Sequence, residues 1–277
     1  MKISATIRLL VIVLVLLPFT GSAQREVRIR NNFDFDWKFT LGDVKEASSP
    51  GFNDARWEDI QLPHDWSIKL PIDKNGSASM GFLQGGIGWY RKTFTVPDDY
   101  KNKTVKIQFD GVYHRCDVYV NGKHVGFHPY GYIGFEYNLT PYLNFEGKNT
   151  LSVRVNHSNS PSSRWYSGSG IYRHAWLTVT NPIQVATWGT YVTTPRISKA
   201  FADVKIETTV ENNSAVREEI VIQNRVLNGK GEEVGFQKSS SFITANGSIK
   251  VDQLLQVKSP ALWSVDTPTM YRIETTG

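Results

Sequence analysis

The sequence predicts an all-β protein that consists of two β-sandwiches, a jelly roll followed by an immunoglobulin-like sandwich. Apolar residues alternate in short runs that Gly, Asn, Asp and Pro separate, which is typical of antiparallel strands. Almost no segment has the period of a long amphipathic helix. The composition also changes near Asn181-Pro182, where Trp, His and Gly become rarer and Thr, Val, Glu and Asn more frequent. This change predicts a domain boundary, with one sandwich over residues 24–181 and the other over residues 182–277.

Short strands are predicted throughout the first domain. They lie near Trp37–Leu41, Trp57–Gln61, Trp89–Val96, Thr104–Phe109, Cys116–Val120, His124–His128, Phe135–Asn138, Leu151–Asn156 and His174–Thr180. Asn121-Gly122 is a strong signal for a two-residue hairpin turn. Just before it, the alternation of Cys116, Val118 and Val120 places their side chains on one face of a strand. Many short antiparallel strands over about 150 residues are typical of a jelly roll.

The second domain has fewer predicted strands. They lie near Ile183–Tyr191, Val204–Glu211, Glu219–Asn228, Phe236–Ile243, Ser248–Val257 and Tyr271–Thr275. An immunoglobulin-like sandwich has about seven strands, and the sequence ends at Gly277, just after the last of these. We therefore expect a sandwich that is incomplete at its C-terminus and leaves an open sheet edge.

Residues 1–23 are predicted to be a secretory signal peptide. Lys2 and Arg8 form a basic start, Leu9–Leu17 is an apolar run, and small residues precede a cleavage site after Ala23. An uncleaved anchor is the alternative, although the apolar run is too short for a comfortable membrane span. The only cysteine is Cys116, so no intramolecular disulfide can form. An exported protein of this size without disulfides fits a bacterial periplasm or cell surface better than an animal secretory route, and the periplasm is the predicted location.

The charge and the motifs exclude several classes of function. The formal net charge of +5 falls to +3 when Lys2 and Arg8 are removed, because residues 1–23 contain no acidic residue. A small charge that is spread along the chain does not indicate a nucleic-acid partner. The histidines lack the spacing of a zinc site, and no Gly-rich phosphate loop opens a helix. We therefore expect no metal, no cofactor and, after signal cleavage, no membrane association.

The strongest chemical signal lies in Ser162–Thr180. Its first half is a loop with two glycines, and its second half is rich in β-branched and aromatic residues, as strands are. The loop carries Arg164, Trp165 and Tyr166. An aromatic face beside a hydrogen-bonding cation suits a sugar, which has apolar C–H faces and a rim of hydroxyls. The alternative is a tight turn with Trp165 packed into the core.

Several motifs follow one another in a specific order. They are Asn53-Asp54-Ala55-Arg56-Trp57, Leu62-Pro63-His64-Asp65-Trp66, Gly86-Ile87-Gly88-Trp89-Tyr90-Arg91-Lys92, Phe109-Asp110-Gly111-Val112-Tyr113, Val118-Tyr119-Val120-Asn121-Gly122 and Ser169-Gly170-Ile171-Tyr172-Arg173. In this order they resemble the N-terminal sugar-binding domain of glycoside hydrolase family 2, of the β-galactosidase type. Residues 182–277 resemble the immunoglobulin-like domain of the same family, with Pro260-Ala261-Leu262-Trp263-Ser264 as its signature. The resemblance covers residues 30–277.

The resemblance implies a retaining exo-glycosidase that is built as a galactose-binding-like jelly roll, an immunoglobulin-like domain and a TIM barrel. In that family, two barrel glutamates act as acid/base and as nucleophile. The sequence ends before such a barrel begins, so no residue here is predicted to be catalytic and the chain alone is expected to be inactive. Its implied role is to support the barrel, to shape the mouth of the active site and to contribute to a homo-oligomer. The implied partners are a carbohydrate substrate and the missing barrel domain.

The residues predicted to lie near substrate are Arg164, Trp165, Tyr166, His64 and Asp65. In the family, the loop before the Ser-Gly-Ile-aromatic-Arg motif reaches the rim of the barrel pocket. Some relatives have an acidic residue at the position of Arg164, so its contact here would differ: a hydroxyl, a substrate carboxylate or an acidic barrel residue. For His64 and Asp65 the alternative is a hydrogen-bond network that fixes the loop around Trp66.

Other interpretations stay open. Trp89, Tyr90 and Arg91 are expected to pack in the core rather than to contact ligand. A free-standing carbohydrate-binding module is the alternative to an enzyme fragment, and a purely structural or adhesive pair of sandwiches is the third. Within the family, β-glucuronidase or β-mannosidase specificity also remains open, because the residues that discriminate sugars are mostly in the barrel.

Overall fold

The computed structural model describes residues 28–159 and 164–277. The predicted signal peptide lies outside the described residues, and so do Ser162 and Ser163 of the predicted loop. Within the described ranges, no helix has the length and apolar character needed to cross a membrane.

The described residues form strands and a few single-turn 3-10 helices, which confirms the predicted all-β class. The strands are β1 (Arg28–Asn32), β2 (Trp37–Leu41), β3 (Glu58–Ile60), β4 (Gly86–Phe94), β5 (Thr104–Phe109), β6 (Cys116–Val120), β7 (Lys123–His128), β8 (Phe135–Asn138), β9 (Asn149–His157), β10 (Ala175–Thr180), β11 (Ile183–Thr193), β12 (Phe201–Asn212), β13 (Glu218–Leu227), β14 (Glu233–Ile243), β15 (Ser248–Lys258) and β16 (Arg272–Thr276). The 3-10 helices are Ser67–Lys69, Ala78–Met80, Asp98–Tyr100 and Thr140–Tyr142.

The first sandwich pairs a six-stranded sheet with a four-stranded sheet. The strand orders are β3-β2-β4-β9-β6-β7 and β1-β10-β5-β8, and neighbouring strands run antiparallel. Strand β1 was not predicted from the sequence. It is an edge strand with the sequence Arg-Ile-Arg-Asn-Asn, and all of its residues are at least partly exposed. It therefore lacks the apolar alternation that marks a half-buried strand.

The core of the first sandwich lies between these two sheets. Cys116, Val118 and Val120 are fully buried, as their alternation predicted. Trp37 and Tyr90 are fully buried as well, and the indole nitrogen of Trp37 donates to the carbonyl of Phe33 over 2.8 Å. A fully buried large apolar side chain stabilises the fold by about 1.5–3 kcal/mol. The many buried aromatic residues therefore stabilise a fold whose single cysteine cannot form an intramolecular disulfide.

The second sandwich consists of two three-stranded sheets, β11-β12-β15 and β14-β13-β16. Its interior contains two apolar clusters, one around Ile206 and the other around Ile222. Between them along the strands lies a buried polar layer. In this layer the Asn224 amide donates to the side-chain oxygens of Gln253 over 2.8 Å and Thr208 over 3.3 Å. Because these polar groups bond to one another, their burial is not penalised by unmet hydrogen bonds.

An ion-pair network around the buried Lys106 joins the two sandwiches. The Lys106 ammonium on β5 lies 2.8 Å from a carboxylate oxygen of Glu136 and 2.8 Å from one of Glu211 on β12. The other oxygen of Glu136 accepts a hydrogen bond from the Thr187 hydroxyl over 2.6 Å. Lys106 is only 6% exposed. The network therefore holds the second sandwich against the four-stranded sheet of the first.

Candidate functional site

Four connecting segments meet at one end of the first sandwich and form the candidate site. They are the described part of the β9–β10 loop and the connections β3–β4, β5–β6 and β7–β8. Backbone hydrogen bonds join three of them, and the Tyr172 hydroxyl of the β9–β10 loop donates to the Gly131 carbonyl of the β7–β8 connection over 2.7 Å. Tyr113 and Gly170 form an isolated antiparallel bridge, and the His64 amide donates to the Ile171 carbonyl over 2.8 Å. The loop that carries Arg164, Trp165 and Tyr166 is thus attached at its C-terminal end to the rigid sandwich.

Asp65 is the main anchor of this loop. One carboxylate oxygen accepts hydrogen bonds from the amides of Ser67 and Ser169, at 3.0 and 2.9 Å. The other accepts a hydrogen bond from the Tyr166 hydroxyl. Burial, followed by this bond to a carboxylate, raises the pKa of Tyr166. Asp65 therefore holds the loop from two sides, which agrees with the loop-network interpretation of this residue.

Gly170 sits where no other residue fits. Its φ is +115°, and a Cβ at this position would lie 2.0 Å from the Tyr90 hydroxyl oxygen. That hydroxyl also lies 2.9 Å from Nδ1 of His64. Burial lowers the pKa of His64, whose side chain packs against the ring of Phe39 with the centroids 4.6 Å apart. His64 therefore lies in the core beneath the loop rather than at its surface.

A chain of buried hydrogen bonds runs behind the loop. His157 Nδ1 lies 2.7 Å from the Ser169 hydroxyl, which lies 2.5 Å from the Ser67 hydroxyl. Ser67 in turn donates to the Gln84 carbonyl over 2.6 Å. Burial lowers the pKa of His157 to about 4. A serine beside a neutral histidine has the composition of a nucleophile and its base. Ser169 is fully buried, however, so its hydroxyl cannot reach a substrate from this position.

The exposed part of the site is a run of aromatic rings, which we call the aromatic ledge and define as Tyr130, Tyr132 and Trp165. Their exposed fractions are 53%, 37% and 59%. The indole nitrogen of Trp165 donates to the Tyr132 hydroxyl over 3.0 Å. The ring of Tyr132 packs edge-on against those of Tyr130 and the buried Tyr113, with centroids 5.6 and 5.3 Å apart. The ledge therefore rests on the core.

The structure brings some of the predicted site residues together and separates others. Trp165, Tyr166 and Arg164 are exposed at the surface, whereas Asp65 lies between the loop and the sandwich and His64 lies in the core. Whether any of these residues approaches a substrate stays a prediction. Trp165 is not packed into the core, which was the alternative interpretation, because more than half of this residue is exposed.

Sequence reasoning missed Tyr130 and Tyr132, which contribute two of the three rings of the ledge. They lie in the segment Pro129-Tyr130-Gly131-Tyr132 between β7 and β8. The signal that could have found them is the alternation of tyrosine and glycine in a turn. The Tyr172 hydroxyl donates to the Gly131 carbonyl over 2.7 Å, and a Cβ on Gly131 would lie 2.2 Å from the Tyr113 ring. Glycine is therefore needed for this turn to approach the core.

Residues in the other motifs have structural roles. Trp89 and Tyr90 are buried, as expected from the core-packing interpretation. The buried Arg91 guanidinium donates to an Asp54 carboxylate oxygen over 2.8 Å. Among the residues that the structure describes, no group of three or more His, Cys, Asp or Glu could hold a metal ion.

Comparison with known protein families finds a match for each of the two domains. Residues 30–182 match the family model described as the sugar-binding domain of glycosyl hydrolases family 2. Residues 187–277 match a second model described as glycosyl hydrolases family 2.

Relatives with assigned names share most of this chain. Beta-galactosidase BoGH2A of Bacteroides ovatus is 44% identical over 90% of it. A putative beta-glucuronidase of Formosa agariphila is 35% identical over 96% of it. The chain spans 29% of the length of the first relative and 25% of the second.

Solved structures show the same architecture. A glycosyl hydrolase family 2 member from Bacteroides cellulosilyticus superposes with a TM-score of 0.78 at 36% identity, over 89% of this chain and 34% of that one. Bacteroides uniformis beta-glucuronidase superposes with a TM-score of 0.82 at 29% identity, over 90% of this chain and 30% of that one.

Proposed function

Because the chain belongs to glycosyl hydrolase family 2, we propose that it is the N-terminal accessory part of a retaining exo-β-glycosidase of the β-galactosidase type. The observation that carries the proposal is the 44% identity with a protein named a beta-galactosidase, of which this chain spans 29%. The substrate of the longer protein would be an oligosaccharide or a polysaccharide. A barrel domain would contribute the two carboxylates that act as acid/base and nucleophile.

In this proposal the two sandwiches position the barrel and shape the entrance to its pocket. The aromatic ledge and Arg164 lie on an exposed surface, where they can meet a substrate that the barrel holds. Asp65 keeps Tyr166 and the backbone of the loop in place. The five residues Arg164, Trp165, Tyr166, His64 and Asp65 are proposed to lie in or directly beneath this entrance.

A β-glucuronidase is the second candidate, and two observations favour it. Several relatives with 30–35% identity carry that name. The cationic Arg164, which is exposed beside Trp165, would suit the carboxylate of an acidic sugar. A β-mannosidase of the same family and a free-standing carbohydrate-binding module are the remaining alternatives.

The DNA that follows the codon for Gly277 tests the proposal. We expect an open reading frame that encodes a barrel with two appropriately placed glutamates. The encoded protein should hydrolyse an aryl β-galactoside faster than the matching aryl β-glucuronide, and the 277-residue chain should hydrolyse neither. The reverse order of rates would establish the glucuronidase alternative. A frame without a barrel, or turnover by the 277-residue chain, would refute the proposal.

Secretion is proposed from the same sequence. Residues 1–23 would direct export and be removed, which leaves a protein in the periplasm of a bacterium. N-terminal sequencing of the protein from a periplasmic extract tests this step. The expected first residue is Gln24, whereas retention of Lys2 and Arg8 would indicate an uncleaved anchor.

A further inference from the structure

We propose that the aromatic ledge binds sugar units beyond the one at the scissile bond, so that this chain selects β-linked oligosaccharides over single-sugar glycosides. The inference rests on the proposed function in taking the ligand to be a carbohydrate whose terminal sugar the barrel would hold. The binding itself would be a property of the first sandwich, and it can be measured without a catalytic domain.

The first argument is the exposure of the rings. Trp165 is 59% exposed, whereas Trp37 and Trp66 in the same sandwich are 0% and 2% exposed. An aromatic ring in water leaves a large apolar area unburied, and burying that area favours binding. The ledge collects three such rings from two loops, and the exposed Arg164 directly precedes Trp165 in one of them.

The second argument is that the rings are held in place before any ligand arrives. The indole nitrogen of Trp165 bonds to the Tyr132 hydroxyl, which also lies 3.3 Å from the Ser167 hydroxyl. Tyr132 rests on the buried Tyr113. A side chain that is already ordered loses little conformational freedom when a ligand binds, so preorganisation increases affinity.

The third argument concerns the chemistry of the surface. Polar groups belong to the same surface: the hydroxyls of Tyr132 and Ser167 lie 3.3 Å apart beside Trp165, and the exposed Arg164 precedes Trp165 in the chain. A pyranose has apolar C–H faces that stack on aromatic rings and hydroxyls that bond to such polar edges. A protein partner with an apolar surface would instead bury these polar groups without hydrogen-bond partners, which is unfavourable. The mixture of ring faces and polar edges therefore favours a sugar.

The fourth argument is the length of the ledge. Its successive ring centroids are 5.6 Å apart from Tyr130 to Tyr132 and 6.5 Å apart from Tyr132 to Trp165. Neighbouring rings are inclined to each other by 66° and 54°, so they do not share one flat face and a single pyranose can stack on only one of them. Use of the whole ledge therefore needs more than one sugar unit, so affinity should increase with the length of the oligosaccharide.

The experiment titrates the full 277-residue chain with methyl β-galactoside and with neutral β-linked galacto-oligosaccharides of increasing length. Binding is followed by calorimetry and by the indole N–H signals in NMR spectra. We expect the longer oligosaccharides to bind at least about fivefold more tightly than the methyl glycoside. Trp165→Ala should weaken oligosaccharide binding by at least about fivefold. Trp188→Ala is the matched control, because this tryptophan is 74% exposed on the second sandwich.

Tyr132→Phe keeps the ring and removes the hydroxyl that holds Trp165, so it should weaken binding by less than Trp165→Ala does. Near-UV circular dichroism establishes that each variant is folded. Absence of oligosaccharide binding, equal affinity for all lengths, or an equal loss in Trp188→Ala would overturn the inference. None of these outcomes bears on the proposed function, which depends on hydrolysis of a single-sugar aryl glycoside by the longer protein.

Discussion

Replacement of Asp65 by alanine should release the β9–β10 loop from the sandwich. The carboxylate accepts hydrogen bonds from the amides of Ser67 and Ser169, and both serines are fully buried. In Asp65→Ala these amides would lose their acceptor. A buried donor without a partner costs about 1–3 kcal/mol. The Ser169 amide belongs to the β9–β10 loop, so the attachment of this loop should weaken by about that amount, whereas the Ser67 amide lies in the same connection as Asp65 and the loss of its bond destabilises that turn. The lost bond from the Tyr166 hydroxyl adds less, because that side chain is 39% exposed.

Hydrogen–deuterium exchange measures this loss directly. A loss of about 2 kcal/mol, the middle of this range, corresponds to roughly 30-fold faster exchange, so the Ser67 and Ser169 amides of Asp65→Ala should each exchange about that much faster. Asp65→Asn is the matched control, because its amide oxygen can still accept from both backbone donors. Tyr166→Phe removes only the phenolic bond, and it should change exchange by less than Asp65→Ala.

The reasoning would be refuted if the two amides exchanged at the wild-type rate in Asp65→Ala. It would also be refuted if Tyr166→Phe had the larger effect, since the side-chain bond would then be the anchor. Equal acceleration in Asp65→Asn and Asp65→Ala would show that the charge matters more than the accepting oxygen.

Three further changes test other parts of the structure. Gly170→Ala should lower the free energy of unfolding in urea by at least about 2 kcal/mol, because the added Cβ would lie 2.0 Å from a buried hydroxyl oxygen and the backbone φ is +115°. In the control variant Gly51→Ala no atom lies within 4 Å of the added Cβ, so its stability should stay close to wild type. Lys106→Met should lower the free energy of unfolding by about 1–3 kcal/mol, since it leaves two partly exposed carboxylates without their shared cation. This role would be contradicted if the variant unfolded like the wild type and if the connection between the sandwiches were cleaved by protease at the same rate. Burial lowers the pKa of His157 from the usual 6.5 of histidine to about 4 in the folded protein. Its contribution to stability is therefore complete above pH 6.5 and is lost as the pH falls towards 4, by up to about 3 kcal/mol. His157→Gln should therefore flatten the pH dependence of unfolding between pH 6.5 and 4, and the exposed His124→Gln should not; equal slopes in both variants would contradict it.

The strands were predictable from the sequence because their signals are local. Cys116, Val118 and Val120 alternate with residues that are partly exposed, and the structure buries all three. Asn121 and Gly122 both have positive φ, as the two-residue turn between β6 and β7 requires. Strand β1 escaped prediction because an edge strand with little buried area leaves no alternation in the sequence.

The arrangement of the site depends on pairs of residues that are far apart in the chain. Asp65 and Ser169 are separated by 104 positions, and no short pattern connects them. The sequence indicated Asp65 because it belongs to the motif Leu62–Trp66, whereas its hydrogen-bond partners are evident only from the structure. Tyr132 and Trp165 are 33 positions apart, so the ledge exists only because two loops meet at one end of the sandwich.

By itself, the sequence determined the all-β class, the family and the position in the chain of the loop that carries Arg164, Trp165 and Tyr166. These properties follow from the local alternation of apolar residues, from the turn residues and from the order of the motifs. Only the tertiary structure decided that His64 lies in the core, that Asp65 anchors the loop and that Trp165 joins two tyrosines on the surface. The physical reason is that burial and hydrogen bonding depend on which sheet and which loop face each residue, and these contacts form across long separations in the chain.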